Sequence, residues 1–242
     1  MDDVTIVVPT KNEAGNVRRF LQSVPARAQL VVVDSSDDAT AQIVRRERPA
    51  RTVVIREDVD IPHARQLGSD VATTPWLLFS DADVVLTPTY AHVLASIPVT
   101  RRTGGIVGSK GTAGGYERYH HCFARGQRLL SWIGIPPASG SNMLILKRAL
   151  YGIGGFDLDL TVNEDTDAMF RIKRAGWQTR FEPALGVLAF DHRRLERGSV
   201  RKTVHSFARC GLLWVRPGSQ SVRRSDWGYW EPSDIHPVSE VS

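Results

Sequence analysis

Four short runs in the first eighty residues constrain the fold most: "VTIVVP", "LVVVD", "TVVIR" and "WLLFSD". Each is rich in β-branched residues, nearly continuous in apolar character, and bounded by polar or turn residues. Strands that alternate apolar and polar side chains cover one face of a sheet. Runs without alternation belong to strands buried on both faces, as in parallel sheets covered by helices. Between the runs lie helical spacings, with Val17, Phe20, Leu21 and Val24 in one segment and Ala39, Ile43 and Val44 in the next. Strand and helix in alternation predict an α/β fold with a Rossmann-like, mostly parallel central sheet flanked by helices.

In such sheets ligands bind beyond the carboxyl ends of the strands. The residues there are Pro9 to Glu13 after the first run, Asp34-Ser35-Ser36-Asp37 after the second, and Asp81-Ala82-Asp83 after the fourth. A lone acid in such a place is by default a helix cap, and Asp37 or Asp38 suits that role. Three polar clusters on one rim ask for more. Asp81 and Asp83 stand at i and i+2, which in a strand is the same side. Two carboxylates so close repel unless a cation or donor group separates them. Mg²⁺ or Mn²⁺, which take oxygen ligands and complete their shell with water and phosphate, would answer that repulsion.

The second half has a different texture. "RRTGGIVGSKGTAGGY" reads as an irregular strand or mobile loop, residues 116–132 as a helix, and "GSNMLILKRAL" as strand into helix. "NEDTDAMFRIKRAG" has a helical stripe with acids at its start, where Asn163, Glu164 and Asp165 would serve as N-terminal caps. "TRFEP" and "GVLAFDH" read as two further strands, followed by a basic helix near 200–215 and a loosely ordered tail over 216–242. From Arg193 to Arg224 nine Arg or Lys face only Glu196, a block suited to phosphate groups, an anionic membrane face or nucleic acid, with a solvated helix face as the plain alternative. Cys122 and Cys210 form no CxxC pair and read as buried reduced thiols. No run approaches the about 18 apolar residues that span a bilayer. The acidic start "MDDVTIVVPT" does not read as a secretory signal, so a cytoplasmic location is expected, with peripheral contact at the inner membrane face through 193–216 as an added expectation.

Five segments, "VVPTKNEAGNV", "LVVVDSSDDAT", "HARQLGSDVATTPWLLFSDADV", "SGSNMLILKRALYGIGGFD" and "NEDTDAMFRIKRAGW", resemble in their order the family 2 glycosyltransferases, which have the nucleotide-diphospho-sugar transferase (GT-A) fold. The resemblance implies one such domain over residues 1–215, with a nucleotide-sugar half (1–97) and an acceptor half (98–215). It implies an inverting, metal-dependent transfer of a single sugar from a nucleotide-diphosphate donor to a hydroxyl or polyprenyl phosphate acceptor. Pro9, Thr10, Glu13, Asp34, Arg65, Asp81 and Ala82 would meet the donor. Asp83 and His192 would hold Mg²⁺ or Mn²⁺. Asp165 would act as base, with Glu164 orienting the acceptor.

Two departures stand out: Asp-Ser-Ser-Asp replaces the adjacent acids common in the family, and Gln66 stands where asparagine is usual. The QxxRW motif of processive polysaccharide synthases is absent. A sugar-nucleotide-forming nucleotidyltransferase would need a glycine-rich phosphate loop with a basic residue after the first strand, which "PTKNEAGN" lacks. A non-catalytic nucleotide-binding scaffold predicts decay of the acidic motifs, yet Asp34, Asp81, Asp83 and Asp165 are present. A nucleic-acid binder leaves the acidic rim unexplained.

Overall fold

The computed structural model describes residues 1–112, 117–132, 134–160, 162–190, 210–212 and 214–215. Its centre is an eight-stranded sheet. In chain order the strands are β1 (Val4–Thr10), β2 (Gln29–Asp34), β3 (Thr52–Arg56), β4 (Trp76–Phe79), β5 (Val84–Leu86), β6 (Thr103–Thr112), β7 (Met143–Leu146) and β8 (Gln178–Ala189). Helices α1 (Val17–Ser23), α2 (Thr40–Glu47) and α3 (Ile61–Val71) follow the first three strands. Then come α4 (Tyr90–Ser96), α5 (Glu117–Trp132), α6 (Lys147–Gly152) and α7 (Glu164–Arg174). The spatial order is β3-β2-β1-β4-β7-β6-β8-β5. Strands β1 to β4 pair in parallel, β7 runs against β4 and β6, and β5 runs against β8.

The continuous apolar runs of β1, β2 and β4 are explained by burial on both sides; "TVVIR" departs from that expectation, because β3 is an edge strand with no fully buried residue and Val53 is 39% exposed. One face of the sheet, with Ile6, Val8, Leu30, Val32 and Leu78, packs on Phe20, Leu21 and Val44. The other face, with Val7, Leu77, Phe79, Met143 and Ile145, packs on Ala168, Met169 and Ile172 of α7. Each buried aliphatic side chain contributes roughly 1.5–3 kcal/mol, and register is secure because a slip by one residue would exchange the two faces.

Of the two readings of the glycine-rich stretch, the irregular strand holds over its described part: Thr103–Thr112 is a strand with two register shifts, and its first six residues are buried. Its glycines let neighbours come close. A Cβ on Gly108 would lie 2.1 Å from the Leu185 carbonyl oxygen and 2.2 Å from Asn142 Nδ2. "TRFEP" and "GVLAF" are one strand, β8, and the irregularity between them is a register shift against β6 between Gly108 and Ser109. Cys122 is exposed and Cys210 half-buried, and neither is in a disulfide among the described residues, so neither is a core cysteine. Among the described residues no helix is long and apolar enough to cross a membrane. The tail over 216–242 and most of the basic block lie outside the described residues.

Candidate functional site

The first rim cluster is built by strand register. Thr10 and Asp34 end β1 and β2 as direct neighbours. Asp34 is fully buried, and its Oδ1 accepts from Thr10 Oγ1 at 2.6 Å and from Ser36 Oγ at 2.6 Å. Its Oδ2 accepts no hydrogen bond and faces Arg56 Nε at 3.7 Å. A buried carboxylate oxygen with lone pairs to spare is a prepared acceptor. The departure at Ser36 therefore acts as support: its hydroxyl orients Asp34 where a second acid would repel it.

The loops around this acid are stitched together. Asn12, at φ 57°, receives Asp37 N on Oδ1 at 3.0 Å and donates its own N–H to Ser36 Oγ at 2.8 Å. Glu13 N donates to Thr40 Oγ1 at 2.9 Å, and the Glu13 carboxylate accepts from Asn16 Nδ2 at 2.8 Å. Asp38 performs the expected capping: its Oδ1 takes Thr40 N at 2.9 Å, and its Oδ2 takes Ala14 N at 3.1 Å. Pro9 is half-buried between these loops.

The Asp-x-Asp segment is not a strand, which corrects the same-side geometry expected for it. Asp81 to Asp83 form the turn between β4 and β5, with Ala82 buried beneath. Sheet neighbours hold that turn: Ser80 N donates to Val7 O at 3.1 Å, and Phe190 N, at the end of β8, donates to Asp83 O at 3.2 Å. Asp81 and Asp34 follow strands two places apart in the sheet, a span of about 10 Å across the rim. One oxygen of Asp83, Oδ1, is enclosed. His192 lies outside the described residues.

Arg65 joins the two halves. It sits on α3, is buried, and directs Nη1 to Glu164 Oε1 and Nη2 to Asp81 Oδ1 at 3.6 Å. A Cβ on Gly140 would lie 2.2 Å from Arg65 Nη2, so the "SGSN" turn is small where the guanidinium passes. Glu164, at the start of α7, is buried, and its carboxyl is pushed up to about 7. Burial is the largest cause; Asp165 and Asp81 add to it, and Arg65 opposes it. Asp165 is half-buried, with Oδ1 accepting from Thr166 N at 2.7 Å. Asn163, the residue before the helix, adopts φ 68° and makes no side-chain cap, so Asp165 rather than Asn163 does the capping.

Two positions the sequence left without a role shape the site from behind. Asn142 is fully buried. Its Nδ2 donates to Ser109 O and Leu185 O at 2.9 and 2.8 Å, and its Oδ1 accepts from Tyr90 OH at 2.8 Å. Its partners are distant in sequence, so only the small-residue run around it could have flagged it. Gln66 also gains a purpose. Its Oε1 accepts from Phe156 N at 3.0 Å and its Nε2 donates to Asp70 at 2.8 Å, a span for which asparagine is one methylene short.

Among the described residues no three His, Cys, Asp or Glu side chains gather as a metal cage. Two hard oxygen donors on one turn, Asp81 and Asp83, still fit Mg²⁺ or Mn²⁺. Such ions are commonly held by one or two carboxylates plus the phosphates of a substrate.

Comparison with known proteins bears on the family and the fold. The sequence profile of "Glycosyl transferase family 2" matches residues 5–154. The pre-mycofactocin glycosyltransferase of Mycobacterium tuberculosis is 28% identical over 207 residues, covering 79% of this chain and 43% of that protein. The chain thus spans less than half the length of the curated relative it matches. A mannosyltransferase from Pyrobaculum calidifontis, solved in complex with GDP-Man and Mn²⁺, superposes with a TM-score of 0.69 at 22% identity, over 85% of this chain and 64% of that one. S. aureus TarS 1-349, solved in complex with UDP-GlcNAc, gives 0.61 at 15% identity, over 78% and 58%. At these identities the likeness speaks for the fold.

Proposed function

Because the chain belongs to glycosyl transferase family 2 and has the GT-A fold, we propose that it moves one sugar from a nucleotide-diphosphate donor to an acceptor hydroxyl or polyprenyl phosphate, with inversion at the anomeric carbon. The observation that carries this reading is Arg65. One buried guanidinium bridges Asp81 of the Asp-x-Asp turn to Glu164 at the mouth of α7, which supports reading the donor-side and acceptor-side carboxylates as parts of one site.

The roles follow from the surroundings. Asp34 offers Oδ2 to an N–H of the base or a ribose hydroxyl, while Thr10 and Ser36 hold its other oxygen. Pro9 and the Glu13 loop wall the nucleoside. Asp81, tied to Arg65, lies where the ribose and diphosphate would pass. A divalent cation held by Asp83 and Asp81 would supply positive charge against the donor diphosphate. Asp165 takes the acceptor proton as the acceptor oxygen bonds to the anomeric carbon. The bond from that carbon to the diphosphate oxygen breaks, and its electron pair leaves with the nucleotide. Glu164 orients the acceptor.

The decisive experiment is a thermal-shift screen of UDP, GDP and dTDP with and without Mn²⁺. A cation-dependent rise in Tm with one nucleotide is expected, and Asp83→Ala should abolish the cation-dependent part while leaving the apo Tm in place. Asp165→Asn should retain nucleotide binding and lower transfer by about 10²–10⁴-fold. No nucleotide response in the wild type would refute the reading, and wild-type turnover in Asp165→Asn would refute the base.

A further inference from the structure

Helix α5 has a face that the other described residues leave exposed. Its inner side is anchored by buried His120 and Gln127, the latter donating through Nε2 to Ala138 O at 2.7 Å. Arg118, Arg125, Arg128, Leu129 and Trp132 are exposed, at separations of three, four or seven residues that place them on one stripe. Trp132 is 89% exposed and Leu129 61%. The sole acidic residue of the helix is Glu117, at its first position.

The apolar end of this stripe continues beyond the helix. Ile135, whose N–H closes on Leu130 O at 2.9 Å, packs with Leu160, Phe170 and Trp214 in a small separate cluster. Two residues near that cluster in the chain also expose apolar side chains: Leu158 and Val215, the latter 73% exposed. The guanidinium of Arg174 lies 4.9 Å from the Trp214 ring centre. On α5 itself, arginine and large apolar side chains share one exposed stripe.

That mixture selects among occupants. Nucleic acid would engage the arginines but offers Leu129 and Val215 no apolar medium. An anionic bilayer satisfies both kinds of group. Lipid phosphates draw the guanidinium groups, whose stems lie along apolar surface, and an indole prefers the headgroup boundary.

We propose that α5 docks the protein on the surface of a bilayer containing anionic phospholipid, with Trp132 and Leu129 entering the headgroup–acyl boundary and Arg118, Arg125 and Arg128 meeting phosphates. The proposal rests on the side chains of α5, and it does not depend on the reaction assigned above. Phe170 lies six residues along α7 from Glu164, about 9 Å, so docking would bring the acceptor half close to the lipid.

The test is flotation of the full chain with vesicles of phosphatidylcholine alone or mixed with phosphatidylglycerol. Binding is expected only to the mixed vesicles, weakening between about 0.05 and 0.5 M NaCl. The double variant Arg125→Glu/Arg128→Glu should lower the partition coefficient by at least about tenfold, and Trp132→Ala should lower it several-fold. Unchanged Tm and far-UV circular dichroism would show that these variants fold. Failure of the wild type to float with anionic vesicles at low salt overturns the proposal. So does equal flotation of the double variant, which would move the contact elsewhere. A wild-type dimer that Trp132→Ala converts to monomer without lipid binding would assign the face to a second copy. Retardation of DNA or RNA, lost in the double variant and unmatched by lipid binding, would assign it to nucleic acid.

Discussion

Two buried carboxylates, Asp34 and Glu164, solve the same problem in opposite ways. Asp34, in the half formed by β1 to β4, is held by neutral hydroxyls from adjacent loops, and its nearest cation is a half-exposed arginine at 3.7 Å. Glu164, at the start of α7, is held by a buried arginine 99 residues away. The first site is a local product of strand register; the second exists only when the two halves are packed together. Local hydroxyl support leaves a carboxylate oxygen ready for a ligand. A long-range ion pair instead makes the geometry of the site hostage to the fold, because a buried charge without its partner is strongly destabilising.

The sharpest way to break this contrast is Arg65→Ala. It strips a buried carboxylate of its cation and should cost about 3–5 kcal/mol of stability, measured by urea unfolding. Arg65→Lys keeps the charge but cannot reach both acids with a planar fork, and should fall between wild type and alanine. If Arg65→Ala unfolds at the wild-type midpoint, the two halves are not coupled through this pair.

Glu164→Gln tests the same site through pH. The folded carboxyl is raised to about 7 against an ordinary 4.5, so the folded state binds the proton more tightly than the unfolded one. The stability of wild type relative to Glu164→Gln is therefore greatest below pH 4.5 and declines as pH rises through about 7. The total change is at most about 3 kcal/mol. A flat difference across that window would show that Arg65 keeps Glu164 ionised throughout.

The smallest effect belongs to the local site. Thr10→Val removes one of two hydroxyls on Asp34 Oδ1 while Ser36 remains, so about 1 kcal/mol of stability should be lost. Nucleotide affinity, read by calorimetry, should fall more than stability does. An unchanged nucleotide affinity would detach Asp34 from the donor.

Much of the first half was legible in the chain. The runs at Val4, Gln29 and Trp76 are strands buried on two faces, as their unbroken apolar character requires, whereas the similar run at Thr52 is a half-exposed edge strand. The rim residues follow from where those runs stop. The second half read less well for a definite reason. Glycines 104, 105 and 108 lower intrinsic strand preference, yet they sit in β6 because Trp177, Met169 and Asn142 press against them. Glycine there records a neighbour's volume, and that neighbour is far off in sequence. The split of β8 into two segments failed similarly: Pro183 reads as a terminator, but a register shift carries the strand past it.

What the sequence determined by itself was periodicity and order: which runs enter the sheet, which acids end them, and the succession of motifs that marks the family. Only the tertiary structure decided that Arg65 would bridge Asp81 and Glu164, that Gln66 would dock the turn at Phe156, and that Asn142 would join β6, β7 and β8 to α4. Strand and helix periods arise from neighbours along the chain. These contacts span 52 to 99 positions in their longest links, and their geometry exists only once the sheet has fixed the elements that carry them.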